Sequence, residues 1–357
     1  MITTIESIKK AFDSMLTKEI LIGNDDDFRT VLEDKLDSIT EFIESQSKNI
    51  PNDSLEKNEI ERFTKNFAET VENIKLTIAE YYNGRPDVAY KTFETTLNDL
   101  FQRGILPKKL FQRTPFYRLR VFTEKPFTKR EEIFHIPFKK RTLAAPQRYS
   151  IAGYPCLYLS NSVYTAWEEL HRPSLDSVGF AKFMSSYSLY FVNLSLQDFT
   201  KFIQETEDCL SFFENIVLCP ILIVCSIKVA HPTHPFKPEY IFPQFVLRWC
   251  KSEDDYHGVM YDSTRIHPKS QGTFHNFVIP VADYKRNTDF CPDLTAKLKL
   301  TIPFPIDSID ISKPVDNETV ADVSEIFSKE LHGIIPFNDS IFARIETHLQ
   351  NQELRTL

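Results

Sequence analysis

At Pro107 the hydrophobic pattern of this chain changes period, and that break constrains the fold more than any other feature. Before it, apolar residues recur at helical spacing in four stripes. Ile2, Ile5, Ile8, Phe12 and Met15 make the first, with Thr3 and Glu6 placed as a capping box. Phe28, Val31, Leu32, Leu36, Ile39, Phe42 and Ile43 make the second. The third runs from Leu55 through Ile60, Phe63, Phe67 and Ile74 to Tyr81, opened by Asp53 with Glu56 three residues on. Val88, Phe93, Leu97, Leu100 and Phe101 make the fourth, between Gly84-Arg85-Pro86 and Gly104. Residues 1–106 are therefore expected to form an all-α helical bundle. Beyond Pro107, prolines become frequent and aromatic and β-branched runs replace the stripes. Phe116–Phe122, Cys156–Leu159, Tyr187–Leu194, Leu218–Val229 and Gly258–Tyr261 read as strands. Tyr240–Lys251, Asn317–Leu331 and Ser340–Leu354 read as helices, and Trp167 lies near the start of another. Strands mixed with helices without a strict βαβ rhythm predict an α+β domain over residues 107–357.

Charge divides at the same place. Residues 1–106 carry 13 Lys/Arg against 21 Asp/Glu, a net −8 that equals the charge of the whole chain. They contain no histidine, so an HEPN-type ribonuclease motif, which needs Arg and His close together, is missing. The six cysteines are scattered without CxxC spacing, as expected of reduced, buried thiols in a cytoplasmic protein. No apolar run is read as long enough to span a bilayer, and the first residues lack the layout of a secretory signal.

Glycine is scarce: eight residues in 357. Backbone cradles for phosphate need clustered glycines, and neither GxGxxG nor GxxxxGK[ST] occurs. A bound pyrophosphate would have to be held by side chains, and arginine forks suit that best. The segment Arg148-Tyr149-Ser150-Ile151-Ala152-Gly153, then Leu157-Tyr158-Leu159, then Thr165-Ala166-Trp167-Glu168-Glu169 supplies suitable groups. It reads as a turn, a short buried strand and the start of a helix. An arginine can clamp a phosphate, a tyrosine can stack on a base, and a carboxylate can sit beside a ribose. Together they suit a dinucleotide with a positively charged base.

In order along the chain, Phe116-Tyr117-Arg118-Leu119-Arg120, the Arg148 segment, Thr165–Glu169 and His257-Gly258-Val259-Met260-Tyr261-Asp262-Ser263-Thr264 resemble the RES domain, named for its Arg, Glu and Ser. The likeness covers residues 113 to 285. It implies an ADP-ribosyltransferase-like α+β fold and a toxin or defence effector that uses NAD as its substrate and needs no metal. It places the family arginines on Arg118 and Arg148, its tyrosine on Tyr158, its glutamate on Glu169 and its serine on Ser263. Tyr149-Ser150 stands where the family has Trp-Asn, and Glu168 stands beside the matched glutamate. The N-terminal arm more loosely resembles the helical domains, HEPN/RES-type, that precede some RES domains.

The nicotinamide–ribose bond releases its cationic pyridinium as a neutral molecule, so one carboxylate can suffice where ordinary glycosides need two. Glu169 is the carboxylate expected to do this, as hydrolase or phosphorylase, with Tyr158 against the nicotinamide. The products would be nicotinamide and ADP-ribose or an ADP-ribose phosphate. Transfer of ADP-ribose to a protein is a second enzymatic reading. Other readings stay open: a solvated helix glutamate, a core tyrosine, a turn serine at Ser263. From Lys108 to Arg148 there are twelve Lys/Arg with only Glu124, Glu131 and Glu132 as acids, which also suits a nucleic-acid-binding module. His231-Pro232-Thr233-His234 lacks the helix and glutamate of a zinc site and reads as a loop. A toxin of this kind implies an antitoxin or other restraint; the acidic arm is one candidate, with oligomerisation the other use for it.

Overall fold

Helix stop signals explain the first elements. The computed structural model describes residues 5–17, 20, 22–23, 26–51, 56–282, 288–309, 323–328 and 332–357. Four helices occupy Ile5–Thr17, Phe28–Lys48, Lys57–Tyr82 and Pro86–Gln102, as their stripes predict. Asp27 caps the second by accepting from Thr30 N at 3.0 Å. Gly84 and Gly104 follow the third and fourth at φ 75° and 71°, the left-handed conformation that ends a helix. Thr3 and Asp53, expected to cap the first and third, lie outside the described residues.

The chain divides into two units. The first joins Met1–Pro107 to Leu194–Ser252, a segment that the sequence pattern groups with the second domain. Packing explains the grouping. Phe93 meets the Phe242 ring at 5.2 Å, Phe101 meets Trp249 at 5.7 Å, and Trp249 Nε1 donates to Asn98 Oδ1 at 2.7 Å. At the other end Phe12 packs on Phe212 at 5.4 Å, and Lys9 Nζ donates to the carbonyls of Gln204 and Thr206. The inserted segment is helical at Leu196–Glu205, Cys209–Asn215, Cys219–Ser226 and Ile241–Ser252.

The strand expected at Leu218–Val229 is therefore a helix over Cys219–Ser226. All seven residues from Cys219 to Cys225 are buried, so no polar face marks the helical period. Pro220 sits in the first turn, where its missing N–H breaks no helical bond. The stretch Cys209–Ser226, 18 residues at mean hydropathy 2.0, also corrects the reading that no apolar run reaches spanning length; 67% of it is buried in its unit.

The second unit comprises Lys108–Asn193 and Glu253–Leu357. Its strands are β1 (Lys108–Phe111), β2 (Pro115–Val121), β3 (Cys156–Ser160), β4 (Val178–Ser185), β5 (Leu189–Leu194), β6 (Gly258–Asp262), β7 (Gln271–Gly272), β8 (His275–Pro280), β9 (Leu298–Leu300), β10 (Val323–Ser328) and β11 (Gly333–Pro336). One sheet runs β1-β5-β6-β8-β3-β2-β4-β9 and a smaller one β11-β10-β7. The unit is α+β. The helix expected at Asn317–Leu331 is strand β10 over Val323–Ser328, and its other residues lie outside those described. Helix Ile341–Gln350 stands where Ser340–Leu354 predicts one, with Ser340 as its N-cap.

The large sheet has a weak seam. β2 pairs with β4 from Pro115↔Met184 to Val121↔Val178, and β3 with β8 from Cys156↔Pro280 to Ser160↔Asn276. Among the described residues β2 and β3 share the single registered pair Tyr117↔Ser160. Leu157, Leu159, Met260, Phe277 and Ile279 belong to one buried core. By strand alternation Tyr158, Ser160, Tyr261 and Asn276 point to the opposite face. The candidate site lies on that face.

Candidate functional site

The Val163–Glu169 helix ends at the residue that matters most. Its start is held twice: Ser162 Oγ accepts from Thr165 N at 3.0 Å, and Glu346 Oε1 accepts from Val163 N at 2.7 Å. Glu346 is fully enclosed, and burial pushes its carboxyl up to about 8, against the lowering effect of that bond and of Tyr117. Glu169 at the far end is one-third exposed and, among the described residues, meets three side chains. Its Oε1 accepts from Ser263 Oγ at 2.6 Å and from Asn276 Nδ2 at 2.7 Å. Its Oε2 lies 3.3 Å from Arg265 Nε. Ser160 Oγ donates to Asn276 Oδ1 at 2.7 Å, which turns the amide nitrogen toward Glu169.

Glu168 points elsewhere. It is 2% exposed, and its Oε2 pairs with Arg172 Nε at 2.6 Å. The neighbouring carboxylates thus separate: Glu169 joins Ser263, and Glu168 is buried against the turn that follows the helix. That turn is strained, since His171 and Arg172 have φ of 62° and 56°. Left-handed non-glycine residues cost about 1–2 kcal/mol each.

Of the other expected residues, Ser263 bonds Glu169 directly, while Arg148 and Tyr158 are tied in through intermediate residues. Arg148 Nη2 donates to Thr264 Oγ1 at 3.3 Å, next to Ser263. Tyr158 donates through its hydroxyl to Ser150 Oγ at 2.9 Å. Burial, then the nearby Cys156 and Tyr261, raises the Tyr158 phenol well above its ordinary value, so it stays a neutral donor. Tyr149 packs its ring 4.4 Å from that of Tyr261, fastening the arginine loop to β6. Gly153, at φ 76°, closes that loop by donating to Ala144 O at 2.8 Å.

Arg118 is placed differently. It faces Ala181 across β2 and β4, in register with the Phe116 side of the strand. Its Nη1 donates to Tyr158 O at 2.5 Å, at the seam where β2 and β3 part. Its Nε is buried without a hydrogen-bond partner among the described residues. Burial lowers the guanidinium to about 10, with Arg120 adding to the effect, so it remains a cation at neutral pH.

Sequence reasoning missed Asn276, Ser160 and Arg265. His275-Asn276 opening the apolar run Phe277-Val278-Ile279 was the available signal, and Arg265 follows the Ser263-Thr264 motif directly. Within the basic stretch, several cations are engaged internally. Arg120 and Arg130 donate to the carbonyls of Glu132 and Leu300, and Lys108 and Lys139 pair with Asp255 and Asp289. Among the described residues no group of three or more His, Cys, Asp or Glu is placed to hold a metal ion. His231 and His234 stack on each other in a turn, with ring centroids 4.6 Å apart.

Comparisons with known proteins give one relative. The chain is 31% identical over 293 residues to the Bacillus subtilis (strain 168) protein "Putative toxin YopC". That alignment covers 74% of this chain and 63% of the relative, so the chain spans less than two thirds of that protein's length. No protein-family model and no solved structure matches the chain.

Proposed function

We propose that this protein is a toxin that consumes NAD by cleaving its nicotinamide–ribose bond. The observation that carries the reading is a partly exposed carboxylate, Glu169, fixed on one oxygen by Ser263 and Asn276, with Arg148 and Tyr158 tied in through Thr264 and Ser150. The name of the Bacillus relative supports the toxic role, and the resemblance to RES domains supports the substrate.

The chemistry follows from the charges. Bound NAD carries a cationic pyridinium, which leaves as neutral nicotinamide while positive charge builds on the ribose. An anion beside the sugar favours that change and needs no proton transfer to the leaving group. Donors from Ser263 and Asn276 hold the Glu169 carboxylate in orientation, so little reorganises during reaction. The Tyr158 ring, tethered through its hydroxyl, can stack on the base while it is charged. Arg148 is suited to a phosphate oxygen. A regulatory partner or antitoxin fits a chain with this activity. The nucleic-acid reading loses support because Arg118, Arg120 and Arg130 bind carbonyls of the chain itself.

The test is incubation of purified protein with NAD, with and without phosphate, followed by product identification. Nicotinamide with ADP-ribose marks hydrolysis; nicotinamide with an ADP-ribose phosphate marks phosphorolysis. Label from NAD fixed on protein would move the reading to ADP-ribosyl transfer. An absence of nicotinamide release overturns it.

A further inference from the structure

We propose that Glu168 is a positioning residue for Glu169, acting through a clamp on Arg172 that holds the turn behind the site. The inference rests on the NAD-cleaving reading above and deepens it. The Val163–Glu169 helix has seven residues, too few to hold its own end in place. The chain leaves it through two successive left-handed residues, His171 and Arg172. Non-glycine residues enter that region rarely, and two in a row persist only where contacts hold them.

Those contacts are present. His171 N donates to Glu168 O at 3.0 Å, and Arg172 N to Trp167 O at 3.1 Å. The Arg172 guanidinium lies 5.9 Å from the Trp167 ring centre while its Nε bonds Glu168. Trp167 Nε1 donates to Pro173 O at 2.8 Å, closing the knot. The turn also reaches Glu169 from its other side. His171 Nδ1 faces Arg265 Nη1 at 3.1 Å, and Arg265 Nε faces Glu169 Oε2. Glu168 therefore acts on Glu169 twice: through the peptide that joins them, and through the turn that presents His171 to Arg265. Releasing the clamp shifts the carboxylate without removing it, and a displacement of about 1 Å can cost a reaction ~100-fold.

The test compares wild type with Glu168→Gln, Arg172→Lys and the Glu168→Gln/Arg172→Gln double variant in the full chain. Nicotinamide release gives kcat and KM. Acrylamide quenching of Trp167, isolated by Trp249→Phe among the chain's two tryptophans, reports the turn. The proposal expects Glu168→Gln to lower kcat roughly 10- to 100-fold with KM little changed, and to make Trp167 easier to quench. Arg172→Lys keeps the charge but loses the planar fork and the stacking, so its kcat falls between the two. The double variant is no slower than Glu168→Gln alone, because the pair acts as a unit.

Should Glu168→Gln fail to fold, Arg172→Lys decides alone. A loosened Trp167 with undiminished kcat overturns the proposal, and so does a change confined to KM. Wild-type protein that releases no nicotinamide overturns the NAD reading, and the inference falls with it.

Discussion

Glu169 meets three side chains from two other segments, and each makes a different demand on it. Ser263 and Asn276 fix one oxygen, while Arg265 stands beside the other. Glu169→Gln is expected to lower nicotinamide release at least ~100-fold with the fold intact, because it removes charge aimed at the transition state. Asn276→Ala should lower kcat roughly 10-fold, having lost one donor and the link to Ser160. Steady-state kinetics beside circular dichroism check both. The two arginines should part company. Arg148→Ala weakens NAD binding by about 1.5–3 kcal/mol, the worth of a charged hydrogen bond. Arg118→Ala leaves Tyr158 O unpaired at the seam and costs stability of about 1–3 kcal/mol, read by chemical denaturation. Glu169 and Ser263 were legible in the sequence because each lies in a motif with its neighbours. Asn276 was not, since an asparagine within a strand carries no local mark of what lies across the sheet.

At the scale of elements, the short helix that bears Glu169 depends on a longer one. Glu346, on helix Ile341–Gln350, accepts Val163 N at the start of the short helix. Burial raises that carboxyl from its ordinary 4.5 to about 8. Between those values the folded chain keeps a proton that the unfolded chain releases, so this group lowers stability as pH rises through the window. Glu346→Gln keeps an oxygen for Val163 but does not titrate. Its stability relative to wild type should therefore rise between pH 5 and pH 8, by at most ~1.4 kcal/mol per unit. Denaturation midpoints of both proteins at the two pH values decide it, and His135, which also titrates abnormally, cancels in the difference.

Elements differed in how openly the sequence announced them. The four N-terminal helices were plain because each has a wet face. Cys219–Ser226 was not, because it is buried on every side, and a short apolar run reads equally as strand. β4 and β8, which flank the seam partners β2 and β3, went unmarked because their apolar runs lack a polar alternation.

At the scale of the molecule, the two units are not consecutive along the chain, which changes how each is to be isolated. Expression of residues 107–357 alone would leave Phe242 and Trp249 without Phe93 and Phe101, their partners in the first unit. That form is expected to be insoluble. Replacing Ser195–Ser252 in it by a flexible linker of about 12 residues spans either strand orientation and should restore a soluble unit. Soluble yield and nicotinamide release of both forms, set beside the full chain, are the measurement. Higher specific activity in the linker form assigns restraint to the helical unit; equal activity assigns it elsewhere.

The interruption also sets a clock on biosynthesis. β5 and β6 are neighbours in the sheet, yet the chain visits the helical unit between them. Glu169 leaves the ribosome 107 residues ahead of Asn276. At ~5–20 residues per second, that is a delay of about 5–20 s. For most of that time the nascent chain carries the carboxylate with neither Ser263 nor Asn276 to hold it. A ribosome that terminates early within the inserted segment releases a fragment in which Glu169 has neither Ser263 nor Asn276, so in this fold a truncated message cannot assemble the site.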